Sequence, residues 1–312
     1  MKRAFTLIEI IMVIVITGIL ALGTFKALNA LYIRSVKAQA VTELSLDSQV
    51  VLDQLSMLLY SRVPASVIGY DTADATFQPL GELAVPKPVL EWLGVAEESL
   101  VRRDYSGFID MNASDTLSNT LISPNSNGLK VNATEALKFA LSSDMFANDS
   151  IRLVFAGTFD TGISGHLDFP NTFGWHGGGA GEIFAIGMDA DGNITLQGSP
   201  SFVYEKYYLV DTAYGVARGG EIDKNAQCIR DLGLNLDNDT LLLFYDYRPW
   251  RAETFCADPN GSGQSGRVTV LGRNVTGFRA ELVNYTIRLS IDMVRPIRGS
   301  TPVHISKQKV VF

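Results

Sequence analysis

Cysteine and histidine are scarce in this 312-residue chain. There are two cysteines, Cys228 and Cys256, and three histidines, His166, His176 and His304. No histidine stands at ligand-like spacing from another histidine or from a cysteine. No metal site is therefore expected, and each imidazole reads as a surface or hydrogen-bonded group. The Gly-x-Ser-x-Gly elbow of a nucleophilic hydrolase is missing. The glycine-rich stretch from Trp175 to Glu182 lacks the Gly-Lys-Ser/Thr end of a phosphate loop and reads as a flexible loop. Basic residues are in deficit, 26 against 33 acidic, for a net charge of −7. That balance gives no footprint for general nucleic-acid binding. With no catalytic constellation and no cofactor motif, the chain is not expected to be an enzyme.

Two further absences shape the amino-terminal part. No charged residue occurs from Ile10 to Phe25, and neither proline nor glycine occurs from Lys26 to Arg62. The charge-free run has 16 residues, about 24 Å of helix against a hydrocarbon core of about 30 Å. Adding Phe5 to Ile8 lengthens it to about 31 Å, which spans but places Glu9 inside the hydrocarbon. A carboxylate at the centre of a membrane helix costs about 2.5–3.5 kcal/mol, less near an interface. A secretory signal peptide, with Lys2 and Arg3 as its basic end and Ala21-Leu22-Gly23 as its cleavage site, gives Glu9 no role. Neither does a plain membrane anchor.

The order of residues here is a short basic leader, Met1-Lys2-Arg3-Ala4, then Phe5-Thr6-Leu7-Ile8-Glu9, then the apolar run. It resembles the amino-terminal signal of the type IV pilin family, which includes the pseudopilins of type II secretion. The resemblance covers about 25 residues. It implies that a prepilin peptidase removes residues 1–4 by cutting between Ala4 and Phe5 and methylates the new amine of Phe5. The family usually has glycine before the cut, where this chain has Ala4, a small residue all the same. Loss of Lys2 and Arg3 would take the net charge from −7 to −9. In a stack of subunits Glu9 would then meet the Phe5 amine of a neighbour, because two charges that are costly alone in an apolar core become acceptable as a hydrogen-bonded pair.

Beyond the membrane the helical pattern continues. Apolar residues recur at Val41, Leu44, Val51, Leu55 and Leu58, a stripe broken at Ser48. The expectation is one long helix over 5–62, with 5–25 crossing the membrane, followed by an exported β-rich domain over 63–312. This is an α+β, pilin-like plan. The stretch 63–132 reads as irregular, with a short helix within Val89–Arg103, around Glu91-Trp92-Leu93; a clearer short helix follows from Thr134 to Leu141. After that strands dominate. They include SIRLVFAGTF, EIFAIGM and NITLQG on either side of a turn, SFVYEKYYLVD and AYGVARG, and the half-buried DTLLLFYDY. A hairpin is expected over 278–292, turning at Asn284-Tyr285, and ISKQKVVF is either a last strand or loose.

An exported pair of cysteines reads as a Cys228–Cys256 disulfide. Asp189, Asp191 and Asn193 resemble the start of a calcium loop, but Pro200 stands where the closing acid is needed, and a hairpin turn is the better reading. The Asn-x-Ser/Thr triplets at Asn112 and Asn193 carry an acid two residues ahead. In an Asn-rich domain such matches arise easily, so modification is not the leading expectation. The resemblance implies a minor pilin or pseudopilin held in the inner membrane, its domain in the periplasm, until it joins other subunits in a pilus or pseudopilus. The competing reading is a membrane-anchored exported enzyme or binding protein outside any filament.

Overall fold

The computed structural model describes residues 7–115, 119–126, 146, 148–159, 169–200, 202–233, 236–256 and 266–312. Ala4, Phe5, His166 and the helix expected over Thr134–Leu141 lie outside the described residues. Helix α1 runs from Leu7 to Tyr60, 54 residues or about 81 Å. With no proline or glycine after Gly23, nothing breaks the i→i+4 ladder until Pro64. Its buried positions are Ala40, Leu44, Ser48, Val51, Leu52, Leu55 and Leu59, while Val41 is exposed and Leu58 half-buried. The contact stripe thus keeps Leu44, Val51 and Leu55 as expected, with Ala40, Leu52 and Leu59 in place of Val41 and Leu58 at its edges. Ser48 fits in it because its hydroxyl donates to the Ser45 carbonyl at 3.0 Å.

The stretch read as irregular holds three strands: β1 (Ile68–Asp71), β2 (Thr76–Pro79) and β3 (Val89–Val95). β1 and β2 escaped notice because each has four residues. The turn between them is closed by side chains, Asp71 accepting from Ala73 N and Asp74 from Thr76 N. Glu91-Trp92-Leu93 is the middle of β3 rather than a helix, and the helix there, α2, is only Glu97–Val101. Every residue of β3 is buried, because the strand is covered on both faces and so loses the alternation that marks a half-exposed strand.

The remaining elements are β4 (Thr120–Leu121), β5 (Arg152–Phe155), β6 (Phe184–Met188), β7 (Ile194–Gln197), β8 (Tyr207–Arg218), α3 (Gln227–Arg230), β9 (Leu241–Tyr247), β10 (Arg267–Gly272), β11 (Val275–Val283), β12 (Thr286–Arg295) and β13 (Val303–Val311). All strand pairings among the described residues are antiparallel. The larger sheet runs β2-β1-β3-β8-β5-β6-β7-β4, with β9 joining β8 to β10. The two segments expected to flank residue 212 form one 12-residue strand, β8. Its first part pairs with β5 and its second part with β9. β9 is mostly buried, not half-buried.

The second sheet is β11-β12-β13. The expected hairpin turns at Asn284 and Tyr285, with φ of 50° and 62°. Both lie in the left-handed region, as a two-residue turn matched to strand twist requires. The tail pairs as β13 rather than hanging loose.

α1 packs its buried stripe against both sheets. Leu52 and Leu55 share a core with Trp92 and Val216 of the larger sheet and with Leu289 and Ile291 of the smaller one. The other face of the larger sheet carries a second core around Phe173, Trp175, Phe244 and Phe255. A third core, around Tyr105, Phe155 and Phe184, fills a distal lobe. That lobe begins just past the end of α1, where Val95 N donates to the Ser61 carbonyl.

Candidate assembly site

Two halves of α1 behave differently, and the difference starts with their residues. From Leu7 to Tyr32 the large apolar side chains are exposed: Leu7, Met12, Ile19, Leu22 and Phe25 are each more than 60% accessible. This half is long and apolar enough to cross a membrane. Glu9 stands in its first turn. The helix dipole favours an acid there, which offsets part of what the carboxylate costs in an apolar setting.

The second half is fixed to the domain by charge as well as by packing. Glu43 pairs with Arg295 of β12 and Asp53 with Lys309 of β13. Lys307 Nζ donates to the Ser45 carbonyl at 2.6 Å and Lys37 Nζ to Thr301 Oγ1 at 3.0 Å. The hydrogen bonds from Arg295 and from Lys309 hold the Glu43 and Asp53 carboxyls below their ordinary pKa. These pairs are exposed, so each contributes little, and the packed stripe carries most of the attachment. The outcome is a rigid rod, bare at one end and anchored at the other. The anchored half still shows Leu46, Val50, Met57 and Tyr60 on its outer face.

The sequence reading missed a buried polar cluster behind β3. Glu91 is fully buried. One carboxylate oxygen lies 2.6 Å from His176 Nε2, and the other accepts the Tyr247 hydroxyl at 2.7 Å. The His176 ring stacks on Tyr70 with centroids 3.7 Å apart. Burial, and then the Glu91 charge, push the Tyr247 hydroxyl well above its ordinary pKa. The glycine-rich stretch from Trp175 to Glu182, expected to be a flexible loop, is packed here. Trp175 is buried, and a Cβ on Gly178 would lie 1.9 Å from the Pro170 carbonyl oxygen. His176 itself adopts a left-handed conformation, φ 48°. Glycine at 174 and 178 permits the close approach that carries His176 to Glu91. The signal was a single acid inside the apolar run PVLEWLGV, the same kind of signal that Glu9 gives.

Cys228, in α3, is bonded to Cys256, with Cα atoms 5.7 Å apart. The Asp189–Asn193 stretch is the turn between β6 and β7. Asp189 accepts from the backbone of Asp191 and Asn193 and from the Asn193 carboxamide. Those bonds hold its carboxyl below the ordinary range. Among the described residues no cluster of three or more His, Cys, Asp or Glu could hold a metal ion. His304 lies exposed on β13. A groove of about 880 Å³ opens beside β9 and β11, lined by residues of both signs that include Lys224, Asp237, Asp239 and Arg273.

No curated protein and no solved structure matches the chain. Residues 1–25 match the family model described as the prokaryotic N-terminal methylation motif, and the chain therefore opens with the prepilin-type signal of type IV pilins and pseudopilins.

Proposed function

We propose that this protein is a structural filament subunit, a minor pilin or pseudopilin, and not an enzyme. The observation that carries the reading is one uninterrupted helix, half bare and apolar behind a methylation motif, half packed on a β domain. In the inner membrane, lipid covers the bare half, and the domain stands on the periplasmic side. On extraction the bare half needs another apolar cover, and equivalent helices of neighbouring subunits supply it. Prepilin peptidase cuts between Ala4 and Phe5, and Glu9 then pairs with the Phe5 amine of an adjacent subunit. A hydrogen-bonded pair in an apolar core fixes axial register, because a shift of one turn leaves both charges alone.

A domain of about 250 residues favours a place at or near the tip. Bulk subunits repeat at close spacing, and heads of this size would crowd one another, whereas an end position has free space on one side. The experiment is cross-linking in intact cells, followed by purification of the full-length protein from membranes and from sheared filaments. Stoichiometric pilin-like partners are expected. A protein recovered only from membranes, and there without pilin-like partners, would point to the anchored, unassembled alternative.

A further inference from the structure

Of the acid-preceded triplets at Asn112 and Asn193, the structure sets Asn112 apart, and we propose that Asn112 is the acceptor of an N-linked oligosaccharide. The inference needs only that the domain is exported; it does not depend on assembly into a filament.

The two asparagines start equal in sequence, as Asp110-Met-Asn112-Ala-Ser114 and Asp191-Gly-Asn193-Ile-Thr195. The fold treats them differently. The Asn193 carboxamide donates to Asp189 Oδ2 at 2.9 Å. Its hydroxyl residue, Thr195, sits inside β7, between Thr120 of β4 and Gly187 of β6. Presenting this triplet to an enzyme means dismantling two strand pairings. Asn112 is exposed, and among the described residues no hydrogen bond engages its carboxamide. Its turn is held by a few bonds: Asp110 Oδ1 accepts from the backbone of Asn112 and Ala113, and Ser114 Oγ donates to the Asp110 carbonyl and accepts from Ile122 N. Loosening it is a local event at the surface, of the kind that folded proteins undergo at low cost.

Position adds to the case. The turn runs between Ile109 and Leu121 of the third core, to which no residue of α1 belongs. The donor is a polyprenyl-diphosphate-linked oligosaccharide on the exported side of the membrane. The Asn112 carboxamide nitrogen attacks the anomeric carbon, a C–N bond forms as the C–O bond to the diphosphate breaks, and the amide proton passes to a base. Polyprenyl diphosphate leaves, and no redox partner is needed.

The test is glycopeptide mass spectrometry on the full-length protein purified from the membranes of its own cells. The tryptic peptide Asp104–Lys130 holds one Asn-x-Ser/Thr triplet, that of Asn112. It is expected to carry a glycan mass localised to Asn112, lost in Asn112→Gln and retained in Asn193→Gln. An unmodified Asp104–Lys130 peptide in the wild type overturns the proposal, as does a glycan found at Asn193 in its place. Asn112→Gln is an exposed change and should fold, which circular dichroism checks independently.

Discussion

Removing the His176 ring should destabilise the domain far more than a surface change. Glu91 is fully buried, and its carboxylate has His176 on one oxygen and Tyr247 on the other. In His176→Ala one oxygen loses its partner, and Tyr70 loses the ring stacked on it at 3.7 Å. Breaking a buried pair from one side costs about 3–5 kcal/mol, because it leaves an uncompensated group behind. Alanine keeps a Cβ at φ 48°, so the backbone strain stays and the difference isolates the side chain. Tyr247→Phe removes one hydrogen bond to a charged group, about 1.5–3 kcal/mol. The double change Glu91→Leu with His176→Leu should be milder than His176→Ala alone, since no buried charge is stranded. Urea unfolding of the detergent-solubilised full chain, followed by fluorescence of buried Trp92 and Trp175, measures all three. A cost below about 0.5 kcal/mol for His176→Ala, the range of ordinary surface changes, or a double variant less stable than the single one, would refute the reasoning.

Three further outcomes follow from the same structure. Intact-mass analysis of the membrane-purified protein should show loss of Met1 to Ala4 and a methylated Phe5, whereas a mature start near Thr24 would support a secretory signal. Reducing the Cys228–Cys256 bridge, whose cysteines are 28 positions apart, should lower stability by about 3–4 kcal/mol on the loop-entropy account, and a denaturation midpoint unmoved by reductant would contradict this. Burial pushes the Tyr207 hydroxyl up to about 12. A raised folded pKa means stability fully present below the unfolded value near 10 and lost as pH rises through about 12. Tyrosinate absorbance should therefore lag in the native protein relative to the denatured one and rise together with unfolding; full ionisation near pH 10 in a still-folded protein would be inconsistent with it.

The long helix, its apolar half and the late hairpin were legible because each has a strong period and clear punctuation. α1 lacks proline and glycine through its second half, and the hairpin alternates cleanly around Asn284-Tyr285. β3 was not legible as a strand, since burial on both faces removes the alternation that periodicity detects. The centre of the contact stripe, Leu44, Val51 and Leu55, was legible, but not its edge, because Val41 and Ala40 are both small and apolar, and only the domain decides which faces inward. Glu9 stands out in the sequence because it is a single acid at the edge of a charge-free run. Glu91 carried the same signal more faintly, and its partners come from 85 and 156 residues away in the chain. No local pattern marks such a meeting.

The central claim is that Glu9 is an assembly device, and Glu9→Gln tests it most directly. The amide costs less than a carboxylate in hydrocarbon, so membrane insertion should be unchanged or easier. Cleavage before Phe5 should also survive, because the peptidase reads the leader and the small residue Ala4. Incorporation into filaments should fall, since the Phe5 amine of a neighbour would be left without its counter-charge in an apolar core. A subunit at the tip has neighbours on one side only, so the loss can be partial. The measurement compares wild type and Glu9→Gln in the inner-membrane and sheared-filament fractions. The account predicts equal membrane levels with reduced filament recovery; equal recovery in filaments at equal membrane levels would contradict it.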